Sequence, residues 1–466
     1  MRILALDQGT TSTRLLAFDS TVTLVGQIRH ATRHPAPGWV EQDAAEILAN
    51  CRALLSKAGP ADAIALANQG ESCLAWDAAT RAPLSPIVVW QDRRTVADLA
   101  LLAEAAPEVQ ARSGLPLDPY FSAAKLGWLL RNLPEVAKAH AAGRLRLGTT
   151  DAFLLDSLTG HFAMDRATAS RTGLMNLAHG EWDAELCRIF GVPIETLPEI
   201  RGNLTGFGMV DGVPVAAAIV DQQGALFGHG CRKPGEAKVT FGTGAFALTV
   251  TGPTPPDPAL LRGLLPTVAW DLGQGPVYAL DGGVPDAGSA LEWALKAGIA
   301  TGLSDFDRFD QSPAIARGLV FVPAFSGLGA PLWDRSAAPL IIGLTPEMTR
   351  RDLCQALLEG IAFQTATLLE EMSAIAPLTG PISVDGGLTA SAYFLQFLAD
   401  ISQREFATSD FNERTAYGAA RLAAQALGAD LPDPATTTGR IFPGEAVPDW
   451  LPRFAMALSR SRGWQP

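Results

Sequence analysis

Two short turns rich in glycine and hydroxyl groups, set far apart in the chain, constrain this sequence more than anything else in it. The first, Asp7-Gln8-Gly9-Thr10-Thr11-Ser12, lies between apolar positions Leu4, Leu6 and Leu15, Ala17. The second, Gly242-Thr243-Gly244, lies inside the run Val239–Leu248. Apolar runs on both sides of a short polar turn predict strand, turn, strand. Glycine lets the backbone take conformations that other residues resist. Clustered hydroxyls and backbone N–H groups make a concavity that suits a phosphate. Asp7 adds a carboxylate beside the first turn, as a magnesium ion requires. Either turn alone is an ordinary polar hairpin. Two of them suggest a duplicated unit, with a nucleotide's phosphates held in a cleft between the copies.

The remaining pattern is α/β, since short apolar runs alternate with Ala/Leu-rich helical stretches. Residues 3–8, 14–19 and 22–29 read as an antiparallel meander. Ala44–Lys57 reads as a helix with Asp43 as its N-cap, and Leu126–Asn132 as a helix opened by Ser122. Ala63–Ala67 and Ile87–Trp90 read as buried strands, and Gly148–Ser157 and Val213–Ile219 lead toward the middle of the chain. In the second half, Ala237–Phe241 and Ala245–Val250 form the second hairpin, and Val277–Leu280, Leu319–Val322 and Pro381–Val384 are further strands. Arg351–Ser373, Ala392–Ser402 and Thr415–Ala426 read as helices. The Pro-rich Gly252–Pro266 reads as a surface loop. The boundary falls near residue 229, giving an N-terminal domain over 1–229 and a C-terminal domain over 230–466.

The 466 residues carry a net charge of −12 with no basic block, which argues against nucleic acid or an anionic membrane as partner. ATP stays open, because backbone N–H groups and a metal can hold its phosphates. Five scattered cysteines, without CxxC or Cys/His spacing, fit neither a disulfide framework nor a zinc site and suit a reducing, cytoplasmic setting. The first apolar residues already read as a strand rather than a secretory leader. Gly and Pro interrupt every apolar stretch short of a bilayer span, so no membrane insertion is expected.

One residue stands out for chemistry. Asp221 follows the apolar run Val215–Val220, at a strand end where α/β ligand sites gather. A carboxylate there either caps the next helix or takes a proton from a bound alcohol.

Several motifs occur in a fixed order: Leu6-Asp7-Gln8-Gly9-Thr10-Thr11-Ser12, Val89-Trp90-Gln91-Asp92-Arg93-Arg94-Thr95, Asp118-Pro119-Tyr120-Phe121-Ser122, Ala169-Ser170-Arg171-Thr172, Asp221-Gln222-Gln223, Phe241-Gly242-Thr243-Gly244, Val322–Pro331 and Val384-Asp385-Gly386-Gly387. On these the chain resembles the FGGY carbohydrate kinases, and within them the glycerol-phosphorylating branch, from about Ile3 to Leu427. Tyr120-Phe121-Ser122-x-x-Lys125-Leu126-x-Trp128-Leu129-x-Arg131-Asn132 fits one family signature at every fixed position. A second is partly met, with Pro339 and Leu357 departing from it.

The resemblance implies a two-domain actin/hexokinase-like ATPase (ribonuclease H-like) fold with an interdomain catalytic cleft, ATP and Mg2+ as cofactors, and a small polyol or sugar as acceptor. It makes Asp221 the catalytic base. It assigns Glu71, Trp90, Tyr120, Asp221, Gln222 and Phe246 to the acceptor, Thr10, Thr11, Ser12, Arg14 and Thr243 to phosphates, and Asp7 with Asp221 to the metal. Gly288, Glu292, Gly387 and Ser391 would line the adenosine site, where the family commonly has Gln at the position of Glu292 and Asn at that of Ser391. Gly70 replaces an arginine that donates to glycerol hydroxyls in the family. Glycerol is therefore the first acceptor to test, a tetritol, pentitol or ketose the alternative, and a non-catalytic, nucleotide-gated binding protein the reading outside enzymes. The short Val210-Asp211-Gly212-Val213 stands where relatives inhibited by fructose 1,6-bisphosphate carry an insertion, so no such inhibition is expected. A homodimer or homotetramer is compatible with the resemblance.

Overall fold

The computed structural model describes residues 1–204, 206–434 and 438–464. The first hairpin forms as its apolar runs dictate. Strand β1 (Ile3–Gln8) pairs antiparallel with β2 (Ser12–Phe18), which pairs with β3 (Val22–Arg29). On its other edge β1 takes β4 (Ala63–Asn68) as a parallel partner. Beyond β4 lie the two-residue β5 (Met209–Val210) and β6 (Val213–Val220), giving the order β5-β6-β4-β1-β2-β3. Both β1 and β4 are buried at every residue, as strands covered on both faces are.

The parallel register matters for function. Gln8 stands opposite Asn68, and Asn68 opposite Val220. Three strands therefore end at one edge, and the chain leaves them side by side at Gly9, Gln69 and Asp221.

The second half repeats the plan. Strands β7 (Ala237–Phe241) and β8 (Ala245–Gly252) make the second hairpin. With β9 (Leu265–Asp271), β10 (Pro276–Val284), β11 (Ile382–Gly386), β12 (Phe406–Ser409) and β13 (Thr438–Ile441) they form a sheet ordered β9-β10-β8-β7-β11-β12-β13. Here β11 runs parallel to β7, with Phe241 opposite Gly386, so Gly242 and Gly387 also leave a sheet side by side.

One core joins the halves. The Arg414–Ala426 helix lies against β1, β4, β6 and the Asp221–Gly228 helix. Its Tyr417 and Leu422 share a buried cluster with Ile3, Ile219, Leu248 and Val250. The two helices cross through glycine: a Cβ on Gly418 would lie 1.9 Å from the Gly224 carbonyl oxygen, and one on Gly228 would lie 2.0 Å from that of Arg414.

Most expected elements are present. Asp43 caps the Ala44–Leu55 helix by accepting from the Ala45 and Glu46 N–H groups. Helices span Ser122–Asn132, Arg350–Ile375, Ala392–Ser402 and Arg414–Ala426. Four details differ. The first turn is only Gly9-Thr10-Thr11, because Asp7 and Ser12 belong to strands and Asp7 pairs with Arg14. Gly9, Gly242 and Gly244 all lack positive φ. Gly244 is required instead by close approach, its Cβ position lying 2.8 Å from the Val284 carbonyl oxygen. Strand Ile87–Val88 stops before Trp90, which sits in a turn. The Pro-rich loop ends before Leu265, where the fully buried β9 begins. Among the described residues no helix is long and apolar enough to cross a membrane, and all five cysteines are buried and unpaired.

Candidate active site

The strand ends of both sheets open on one cavity of about 160 Å3. Thr10 of the first hairpin and Thr243 of the second both line it, with Glu71, Trp90, Tyr120, Asp221, Gln222 and Phe246. Every residue expected to hold the acceptor is thus brought together with Thr10 of the first turn and the whole of the second. Thr240, Gly242, Gly244, Arg171 and Asp281 complete much of the wall.

The aromatic part is a cage. The Trp90 ring meets Tyr120 edge-on at 5.7 Å and Phe246 at 6.2 Å. Trp90 Nε1 donates to Thr10 Oγ1 at 3.0 Å, which ties the acceptor wall to the first phosphate turn. The signature around Tyr120 acquires a physical meaning here. Lys125, wholly buried, donates from Nζ to the carbonyl oxygens of Tyr120 (2.7 Å) and Trp90 (3.4 Å). Ser122 Oγ donates to the Glu71 carbonyl oxygen at 3.0 Å. Within the motif, Lys125 and Ser122 thus fix the Trp90, Tyr120 and Glu71 walls of the cavity without lining it.

Glu71 sits at φ +56°. A non-glycine residue in the left-handed region costs free energy and persists where its surroundings fix it, commonly at binding sites. The fixing partner is Arg171, whose Nε donates to Glu71 Oε1 at 2.7 Å and whose Nη2 lies 2.9 Å from Asp281 Oδ2. Burial pushes the Glu71 carboxyl up, and the Arg171 guanidinium opposes that rise.

Asp221 is the first residue of the Asp221–Gly228 helix, after Val220 in extended backbone. Its Oδ1 accepts from the Gln222 N–H at 2.7 Å. Desolvation by burial, and after it the neighbouring Glu71 and Asp7 carboxylates, push its carboxyl up to about 7 against the Gln222 N–H and Lys238. Burial likewise pushes Asp7 up to about 6, against the pull of Arg14. Lys238, also wholly buried, donates to Gln222 Oε1 and to Thr240 Oγ1. A carboxylate poised near neutrality beside a lysine-held amide can accept a proton from an alcohol.

Other expected contacts lie outside the cavity. Ser12 Oγ accepts from Gln27 Nε2 at 2.9 Å, and Thr11 is exposed. Arg14 points its guanidinium at Glu413, with Nη1 2.9 Å from both carboxylate oxygens, and lies 3.6 Å from Asp7. Ser391 is the N-cap of the Ala392–Ser402 helix, accepting from Phe394 N–H while donating to the Phe306 carbonyl oxygen. Its hydroxyl thus donates and accepts within the protein, in an N-cap role that Ser and the family's Asn fill equally well. Gly288 is butted against the second turn, its N–H bonded to the Gly242 carbonyl oxygen at 3.0 Å. Glu292 is exposed on the same helix. Gly387 has open space around its Cβ position.

Residues 2–228 match the N-terminal domain of the FGGY family of carbohydrate kinases, and residues 237–427 its C-terminal domain. The chain belongs to this family. It is 41% identical to a glycerol kinase of Rhodospirillum centenum, covering 91% of this chain and 89% of that one. It is 38% identical to a glycerol kinase of Symbiobacterium thermophilum, covering 99% and 98%. The fold is similar to that of the glycerol kinase of Plasmodium falciparum solved with ADP, at TM-score 0.87 and 30% identity over 99% of this chain and 98% of that one. A xylulose kinase of Brucella ovis matches at TM-score 0.84 and 26% identity, over 99% and 98%. The actin/hexokinase-like architecture expected from the sequence is the architecture of this FGGY kinase.

Proposed function

We propose that this FGGY kinase transfers the γ-phosphoryl group of ATP to a terminal hydroxyl of glycerol, yielding glycerol 3-phosphate and ADP. The observation that carries the reading is Asp221, held near neutrality in the cavity that Thr10, Thr243 and the Glu71–Trp90–Tyr120–Phe246 pocket share. The relatives named glycerol kinase support the same acceptor. Residues 1–229 supply the first phosphate turn and most of the acceptor pocket, which Phe246 of the second half completes. Residues 230–466 supply the second phosphate turn and, around Gly288, Glu292, Gly387 and Ser391, the adenosine side. The protein works in the cytoplasm on this reading.

Asp221 takes the hydroxyl proton as the alcohol oxygen bonds to the γ-phosphorus and the bond from that phosphorus to the β,γ-bridging oxygen breaks. ADP leaves with that electron pair. Glu71 and the aromatic walls orient the polyol, and such positioning accounts for much of phosphoryl-transfer catalysis. Thr10, Thr11, Ser12, Arg14 and Thr243 flank the phosphates.

Asp7 and Asp221 fit a magnesium ion, because Asp7 is buried, Asp221 is half-buried on the cavity wall, and Asp7 raises Asp221, a repulsion that a divalent cation relieves. Among the described residues no group of three or more His, Cys, Asp or Glu forms a metal site, which suits an ion that draws most of its ligands from water and phosphate oxygens. When bound, it supplies charge neutralisation at the phosphates.

Gly70 favours a second reading, an acceptor longer than glycerol. The test is coupled ADP release with glycerol, erythritol, pentitols and xylulose at matched concentrations. Highest kcat/KM with glycerol is expected. Preference for a four- or five-carbon acceptor replaces glycerol with that substrate, and tight ATP binding without turnover of any acceptor overturns the kinase reading.

A further inference from the structure

Two buried polar atoms, on residues that line the acceptor pocket, have no hydrogen-bond partner among the described residues. Arg171 Nη1 and Asp281 Oδ1 are both buried and both without a hydrogen-bond partner. They belong to one ion pair, Arg171 Nη2 to Asp281 Oδ2 at 2.9 Å, whose side chains are only 3% and 6% exposed. Both residues line the cavity that holds Asp221. Leaving a buried donor and a buried acceptor unmade is costly, and more so for charged groups. The Tyr120 and Phe121 rings lie 5.9 and 5.7 Å from the Arg171 guanidinium carbon and shield it further. A donor and an acceptor orphaned side by side match an alcohol, which both accepts and donates.

Position 70, where the family's arginine is missing, is itself tight. A Cβ there would lie 3.0 Å from Val220 Cγ2, so position 70 has little room for a side chain unless Val220 moves. The pocket still contains a guanidinium, supplied from position 171.

Building on the function proposed above, we propose that Arg171 and Asp281 are acceptor-binding, specificity-determining residues. Arg171 Nη1 donates to, and Asp281 Oδ1 accepts from, the polyol hydroxyls that are not phosphorylated. Arg171 also holds Glu71, so the pair both reads the substrate and fixes the carboxylate beside it.

The test pairs residue variants with acceptors lacking one hydroxyl. Asp281→Asn and Arg171→Lys are compared with wild type on glycerol, propane-1,2-diol and propane-1,3-diol, with KM for ATP and melting temperature as controls. For glycerol, kcat/KM is expected to fall by about tenfold or more in each variant, with KM for ATP unchanged. With the diol that lacks the bound hydroxyl, the penalty is expected to shrink to within about twofold, because wild type has lost the same contact. Equal penalties on glycerol and both diols, or losses that merely follow melting temperature, overturn the proposal. If wild type phosphorylates none of the acceptors, the kinase reading fails, and calorimetric glycerol binding decides this one. Binding weakened about tenfold by Asp281→Asn sustains it, and undiminished binding overturns it.

Discussion

At the scale of the residue, Asp221 ties structure to pH. It must be ionised to take a proton, so kcat/KM is expected to rise with pH, pass half-height near 7 in the free enzyme and level off above. Asp221→Asn is expected to lower kcat by about 10^2- to 10^4-fold and to flatten that limb in a pH–rate profile. The same carboxyl has a stability consequence of definite sign. Its folded value is raised from 3.8 to about 7. Between those values the folded chain keeps a proton that the unfolded chain has released, so stability falls as pH rises through the window. Ligand-free Asp221→Asn is therefore expected to melt above wild type at pH 7.5, with the gap closing toward pH 4. Calorimetric scans across that range check it. Asp221 was legible in the sequence because an apolar run ending in an acid marks a strand end. Arg171 was not. It sits in the stretch Ala169-Ser170-Arg171-Thr172, which carries no chemistry until the fold brings it to Glu71, 100 residues away. The capping role of Ser391 was not legible, because a capping hydroxyl and a ligand-binding hydroxyl look alike in sequence.

At the scale of the element, the crossing of the Asp221–Gly228 and Arg414–Ala426 helices is the tightest contact of functional weight. The Cβ of a Gly418→Ala variant meets backbone oxygen at 1.9 Å rather than a side chain that could swing away. Overpacking of this kind typically costs about 1–3 kcal/mol, and it shifts the helix that carries Asp221. Lower stability in urea titration together with reduced kcat is expected, whereas Gly302→Ala, in extended backbone with its Cβ no nearer than 3.7 Å to Ser304 Oγ, serves as the control. The β5–β6 connection gives a different forecast. Asp211 and Gly212 both have positive φ, at 50° and 83°, as a two-residue hairpin turn of the primed type requires. Nothing extends from this turn to grip a bisphosphate. Initial rates are expected to be indifferent to fructose 1,6-bisphosphate, and a saturable inhibition would contradict that. The hairpins and long helices were legible from periodicity. Strand β9 was not, because Pro266 and the proline-rich stretch before it mask a run whose burial comes from pairing with β10. Trp90 lies beyond a strand cut to two residues, where tertiary ties to Ser72 and Thr10 replace sheet pairing.

At the scale of the whole molecule, the two sheets present their hairpins to one cavity, and ion pairs span the halves. Asp118 meets Arg335 at 3.0 Å and Arg14 meets Glu413 at 2.9 Å. A kinase must exclude water from the phosphoryl group, and closing of domains on substrate is the usual means. The radius of gyration from small-angle scattering is expected to fall when glycerol and a non-hydrolysable ATP analogue are both present. Superimposable profiles would exclude closure.

The helix of Arg414–Ala426, seated under β1, β4 and β6, reaches back across nearly the entire chain. During synthesis the ribosome releases those three strands long before the segment that covers them. The earliest-made sheet must therefore wait, with one apolar face uncovered, until residues 414–426 have emerged. Chaperone dependence and sensitivity to premature stop codons follow from that long wait.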